Sequence, residues 1–242
     1  MNVLRWWWLK FRLRSSDSYN RSKAARTLGE SGNSQAIGAL VRALSDRNQH
    51  VRQAAENSLV KVGEPAVEPL SSLLANPASK VPTTPLIKVL GRIGGMAAAT
   101  ALIAIVKKKE PSWTLNRAAA VGWLSPTSHP DKEPAFLDAL IDPEWRVRNA
   151  ALWGLSNTAV DFCVARLAEM LSDPDTRVLE QAVALFTDPH RQNLVRNVAL
   201  ERPAVRGQIK SSNLVINEQS INCCRCFSAL QIVNWGLLQP KP

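Results

Sequence analysis

The sequence has little cysteine: Cys163, Cys223, Cys224 and Cys226 are the only four in 242 residues. That is too sparse for a disulfide framework, and free thiols in a reducing compartment are expected. Cys223-Cys224-Arg225-Cys226 supplies less than the four ligands of a closed metal site, and His50, His129 and His190 stand far from it, so neither metal nor cofactor is expected. No apolar run reaches the roughly 18 residues of a membrane span. Residues 3–13 are apolar, but Arg5, Lys10 and Arg12 interrupt them, and no small-residue cleavage site follows. The cytoplasm is the expected location. The sequence also lacks a phosphate loop, a His-Glu-x-x-His helix, a nucleophile elbow and a dinucleotide fingerprint. No catalytic residue is therefore assigned, and a non-catalytic role is expected.

A net excess of charge of either sign is lacking through the middle. The net charge is +10, yet residues 1–26 carry +6, residues 27–202 carry +1 and residues 203–242 carry +3. A protein that follows nucleic acid along a groove spreads Lys and Arg along that groove. Here the positive charge sits at the ends, which fits an acidic protein or an anionic membrane surface meeting the N-terminal end.

What the sequence does contain is a period. Arg117–Ser125 reads RAAAVGWLS and Arg148–Ser156 reads RNAALWGLS, 31 residues on. The same offset links Ala24, Ala55 and Leu86, and then Ala120, Ala151 and Ala182, with three extra residues between Leu86 and Ala120. A second column holds Arg21, Arg52, Arg117 and Arg148, with Thr83 and Leu179 replacing it. Six residues before it stand Asp46, Asp142 and Asp173, with Ser15, Pro77 and Pro111 in the other repeats. Each repeat reads as two helices: a first helix rich in small residues, a Gly, Pro or polar turn, and a second helix with its own apolar stripe, such as Ile37, Leu40, Val41 and Leu44. Asp46, Asp142 and Asp173 are expected to cap the helices that follow. No strand alternation competes over residues 15–202. One helix pair buries too little apolar area to stand alone, and stacking covers the face that each pair exposes.

The pattern D-x-x-x-x-V-R-x-A-A, present at Asp46–Ala55 and Asp142–Ala151, resembles HEAT repeats. The A-A-x-x-L-G-x-x-G pattern at Ala24–Gly32 resembles the HEAT-like subclass named after phycobilisome (bilin) lyases. The resemblance implies an all-α solenoid of about six helix pairs over residues 15–202. It is flanked by an amphipathic basic helix or cap at 1–14 and an atypical cap or poorly ordered tail at 203–242, where Pro203 stops the last helix. It also implies that the Asp and Arg columns form an interior ladder between repeats, with Arg52 and Arg148 in place, and with Thr83, Leu179 and Pro77 departing from it so that the ladder breaks in the third and sixth repeats.

Four groups of residues stand out as binding candidates. On a helical wheel Leu4, Trp7, Trp8 and Phe11 share a face, while Arg12 and Arg14 lie on others. The segment either caps the first repeat or rests on a membrane or partner, with Trp7, Trp8, Arg12 and Arg14 making contact. Lys107, Lys108 and Lys109 are expected to end a second helix, as a solvated helix end or as an anion contact. Of Trp113, Trp123, Trp145 and Trp153, the second and fourth fall within first helices, where burial is expected. Trp145, beside Arg146, is expected to be exposed. Together these suggest a protein-interaction scaffold, its partner held on a concave face of second helices and carrying an acidic surface. The resemblance implies an alternative: a bilin lyase or isomerase subunit, or a chaperone of one, holding a tetrapyrrole near Trp145 with Arg146 on a propionate. Helical-repeat binding of nucleic acid is disfavoured by the near-neutral array.

Overall fold

A computed structural model describes residues 3–76, 79–156 and 164–187. The tail at 203–242 and all four cysteines lie outside the described residues. The described residues fall into two compact bodies, one up to Lys132 and one from Glu133 onward. Every regular element among the described residues is helical, and the protein is an all-α solenoid.

In the first body α1 (Val3–Arg12) precedes a row of first helices: α2 (Ser18–Glu30), α4 (Gln49–Val62), α6 (Thr83–Ile93) and α8 (Thr114–Leu124). Each packs on the next, and α1 packs on α2. The second helices are α3 (Ile37–Ala43), α5 (Val67–Ala75) and α7 (Gly95–Val106). The second body holds α9 (Lys132–Leu140, apart from its first residue), α10 (Trp145–Ser156), α11 (Val164–Glu169) and α12 (Thr176–Thr187), with α10 packed on α12.

The column seen in the sequence is the spine of the first helices. Ala24, Ala55, Leu86, Ala120, Ala151 and Ala182 are each at most 2% exposed, as are Leu28, Leu59, Leu90, Leu124 and Leu155 four residues on. Small residues let neighbouring helices approach closely. A Cβ added to Gly29 would stand 2.4 Å from Ser58 Cβ, and one added to Gly91 would stand 2.4 Å from Trp123 Cβ. At the first contact the Ser58 hydroxyl donates to Ala25 O at 2.9 Å. At the α4–α6 contact, buried Glu56 meets Lys88 at 2.7 Å. The turn between first and second helix is also periodic: Gly32, Gly63 and Gly94, one repeat apart, have φ of +59°, +74° and +70°. An L side chain is strained there, and glycine is not.

The three extra residues between the third and fourth repeats fall in the loop after α7. That helix ends at Val106 with Lys107 as its C-cap, so Lys108 and Lys109 lie past the helix rather than within its last turn.

The Asp residues do not cap the following helices directly. Asp46 Oδ1 accepts from Asn48 N at 2.8 Å, and Asn48 is the N-cap of α4, accepting from His50 N. Asp173 and Asp175 repeat this relay before α12, at 2.9 and 3.0 Å. Two acceptors in series satisfy more of the turn's N–H groups than one cap can.

The ladder pairs the Arg of one repeat with the Asp of the next. Arg21 Nε and Nη2 donate to Asp46 at 2.8 and 2.9 Å, and Arg148 Nε and Nη2 donate to Asp173 at 2.7 and 2.8 Å. The inner nitrogen, Nη1, ties down the preceding loop: Arg21 to Ser15 O and Ser16 O at 2.8 and 2.9 Å, and Arg148 to Asp142 O and Pro143 O, both at 2.9 Å. Arg52 holds its own loop through Asp46 O and Arg47 O, and the position one period after Asp46, which would supply its acid, is Pro77 in the sequence. Thr83 instead donates to Asn116 Oδ1 at 2.9 Å. Buried Arg117 reaches further back, to Lys108 O and Glu110 O at 3.1 and 2.9 Å, because the insertion lengthens the loop before it.

Burial works to raise the Asp46 carboxyl, but the hydrogen bond from Arg21, the Asn48 amide and the charges of Arg21 and Arg47 outweigh it and hold the group below the usual carboxylate range. Arg21 is raised, chiefly by its hydrogen bond to Asp46. A depressed carboxyl stabilises the fold above the unfolded-state pKa, about 3.9, and that stability is lost as pH falls through the folded value. Asp46→Asn should therefore cost about 2 kcal/mol at pH 7. The gap to the parent protein should narrow below about pH 4, as read by urea denaturation at both pH values. Gly29→Ala, which drives a Cβ into Ser58, should cost about 2 kcal/mol. Gly38→Ala, with open space around it, should gain about 0.5–1 kcal/mol.

Candidate functional site

α1 is amphipathic, and its geometry separates two roles. Leu9 is 2% exposed and is the described α1 residue that seals the end of the core, whereas Trp7, Trp8 and Phe11 are 61%, 52% and 77% exposed. The spacing of three and four residues puts Phe11 beside both tryptophans on one helix face. Lys10 Nζ lies 5.5 Å from the Trp7 ring, and the Arg12 guanidinium lies 4.6 Å from the Trp8 ring. Such contacts stack cation on π-face and keep both groups at the surface. Arg12 also donates to Asn20, which in turn donates to Asp17 at 2.9 Å, so the arginine fastens α1 to the start of α2. Arg14 is exposed just past the helix. The segment thus both caps the array and presents an aromatic, cationic face. Phe11, on the helical face already noted in the sequence, is the most exposed of the three aromatics.

The lysine loop divides. Lys107 and Lys109 are exposed. Lys108 turns inward: its Nζ stands 3.6 Å from the Trp113 ring and 3.4 Å from Leu74 O, so its charge serves the α5 end and the indole. This loop and α1 sit at opposite ends of the α2–α4–α6–α8 row and do not form one site.

In the second body Trp145 is partly buried rather than exposed. Arg177 lies 3.4 Å and Arg146 4.8 Å from its ring centroid. Arg146 pairs with Glu144 at 2.8 Å, and Arg177 pairs with Asp175 at 2.8 Å. The hydrogen bond from Arg177 holds the Asp175 carboxyl below its ordinary range and raises Arg177 in turn. Both cations already have an acid and an aromatic partner, so this cluster closes the helix starts. Arg177 stands one 31-residue period after Arg146, which is the signal that locates it in the sequence.

Trp153, expected to be buried, is 51% exposed. It belongs to a column that includes exposed Arg26 and Asn57, so membership in a first helix does not decide burial; the position within the period does. Trp123 is partly buried and fills the space above Gly91.

Among the described residues no group of three or more His, Cys, Asp or Glu could hold a metal ion, and no helix is long and apolar enough to cross a membrane.

Residues 7–84 match the family model for HEAT repeats, and residues 134–159 match that for the HEAT repeat. Among solved structures, the archaeal HEAT-like repeats protein from Thermococcus onnurineus is 11% identical, with 97% of each chain covered and a TM-score of 0.51. The complex of CpcE and CpcF of phycocyanin lyase from a Nostoc species is 21% identical, covers 94% of this chain and 93% of its own, and has a TM-score of 0.41. Human deoxyhypusine hydroxylase is 18% identical over 77% of this chain and 84% of its own, with a TM-score of 0.42. These likenesses concern the fold alone. No curated protein sequence matches the chain.

The two roles of α1 separate in mutation. Leu9→Ala should cost about 2–3 kcal/mol by opening the core. Trp8→Ser and Phe11→Ser should change stability by no more than about 0.5 kcal/mol. Thermal and urea unfolding of the three variants checks both expectations.

Proposed function

We propose that this chain of HEAT repeats is a non-catalytic protein-interaction scaffold whose partner presents an acidic surface to the face of α1. The observation that carries this reading is the exposure of Trp8 and Phe11 at 52% and 77% on a helix that also carries Lys10 and Arg12, with Arg14 following. Exposed aromatics concentrated on one face mark contact surfaces, and cations beside them select a negatively charged partner and speed its approach. The second helices extend the surface. Arg42 on α3 and Lys107 and Lys109 after α7 are exposed, and exposed positions such as Gly38, Ser72, Thr100 and Ala104 carry small side chains that leave room for a partner to lie close.

The test is capture by the full chain followed by cross-linking, with mass spectrometry to place the cross-links. A protein partner should cross-link next to α1, and its recovery should fall steeply with salt. Phe11→Ser combined with Arg12→Glu and Arg14→Glu should reduce recovery by about tenfold or more. Unchanged recovery with that variant would remove α1 from the interface. Two outcomes would replace the reading. Binding to phosphatidylserine vesicles but to no protein would make α1 a membrane contact. A visible absorbance change on adding phycocyanobilin would favour a lyase-type role.

A further inference from the structure

The ladder supplies its own template for an anion site. Arg21 and Arg148 use their guanidinium groups identically: Nη1 grips two carbonyls of the preceding loop, and the Nε/Nη2 edge takes a carboxylate in a bidentate pair. Arg52 repeats the first half of this arrangement. Its Nη1 donates to Asp46 O at 2.8 Å and to Arg47 O at 3.1 Å, the carbonyls six and five residues back, as in the other two. Those are its only hydrogen bonds among the described residues. The residue one period after Asp46, where the template calls for a carboxylate, is Pro77, which has no acidic group. Arg52 remains partly exposed.

A guanidinium already fixed by two carbonyl bonds loses little side-chain entropy when its outer edge is engaged. Its two parallel N–H groups match the spacing of carboxylate oxygens. We propose that the Nε/Nη2 edge of Arg52 is a docking point for one carboxylate from an acidic side chain of a partner polypeptide, held as Asp46 is held by Arg21. The polypeptide source rests on the scaffold reading; the carboxylate specificity rests on the ladder alone.

Arginine side-chain ¹⁵N–¹H NMR on the full chain tests it, with sodium acetate as the first probe. The Arg52 Nε–Hε resonance should shift saturably, with an affinity about tenfold above that of exposed Arg26 and Arg42, while Arg21, whose edge is occupied by Asp46, stays still. Asp46→Ala opens the Arg21 edge and should make Arg21 respond as Arg52 does. Arg52→Lys, which keeps the charge but loses the fork, should abolish the tight phase with helicity retained by circular dichroism. A response at Arg52 no stronger than at Arg26 and Arg42, or a silent Arg21 in Asp46→Ala, would overturn the proposal. A short peptide carrying one Asp and inorganic phosphate form the other arms: the peptide should match or exceed acetate, and tighter binding of phosphate would overturn the carboxylate assignment. Acetate reads the fork without any partner, so a failed titration leaves the α1 interface standing, and a failed capture at α1 leaves the fork standing.

Discussion

The close approach of successive first helices is the constraint from which the remaining features follow. A column of alanines, with one leucine, brings helix backbones near enough that Gly29 and Gly91 have no room for a Cβ. Close approach puts the helix starts of neighbouring repeats within reach of one arginine side chain. It also forces a tight reversal at the end of each of the first three first helices, and the positive φ of Gly32, Gly63 and Gly94 supplies that reversal. Were the helices spaced by larger side chains, neither the ladder nor the glycine turns would keep a fixed period.

Within that frame the charged groups divide into those that hold the stack and those left at its surface. Arg21, Arg117 and Arg148 are committed to the loops that precede them, and Arg21 and Arg148 also to Asp46 and Asp173 of the next repeat. Arg146 and Arg177 share one indole and have their own acids. Lys108 is folded onto Trp113. Arg14 near one end of the first helix row and Lys107 and Lys109 near the other remain outward, and Arg26, Arg42, Lys61 and Arg92 are exposed between them. Within the near-neutral middle, Lys88 with Glu56, Arg146 with Glu144, Arg148 with Asp173 and Arg177 with Asp175 are ion pairs in which each cation meets an acid.

Much of the fold was legible because the period is written in small residues, whose only advantage at those positions is proximity. The glycine turns and the buried columns fall where a 31-residue register puts them, once the three extra residues between Leu86 and Ala120 are allowed for. The site was less legible. Helix membership suggested burial for Trp153, while its column faces outward. Trp145 looked exposed because it precedes a helix, yet the arginine that covers it comes from the next repeat, and such a contact is visible only once two repeats are superposed. The motif around Arg52 is complete, and only the period, which puts Pro77 where the next acid would stand, shows that Arg52 lacks the pairing that Arg21 and Arg148 make. The split of α1 between Leu9 inside and Phe11 outside depends on where α2 lies, which the helical wheel alone does not specify.

The two halves of each ladder arginine act at different distances along the chain. One side of the guanidinium closes the loop just behind it; the other waits for an acid most of a repeat ahead. A repeat can therefore organise its own entrance before its successor exists, and it then offers that successor a finished edge. The stack has a growth direction, from amino to carboxyl end, which is the order in which a ribosome delivers it.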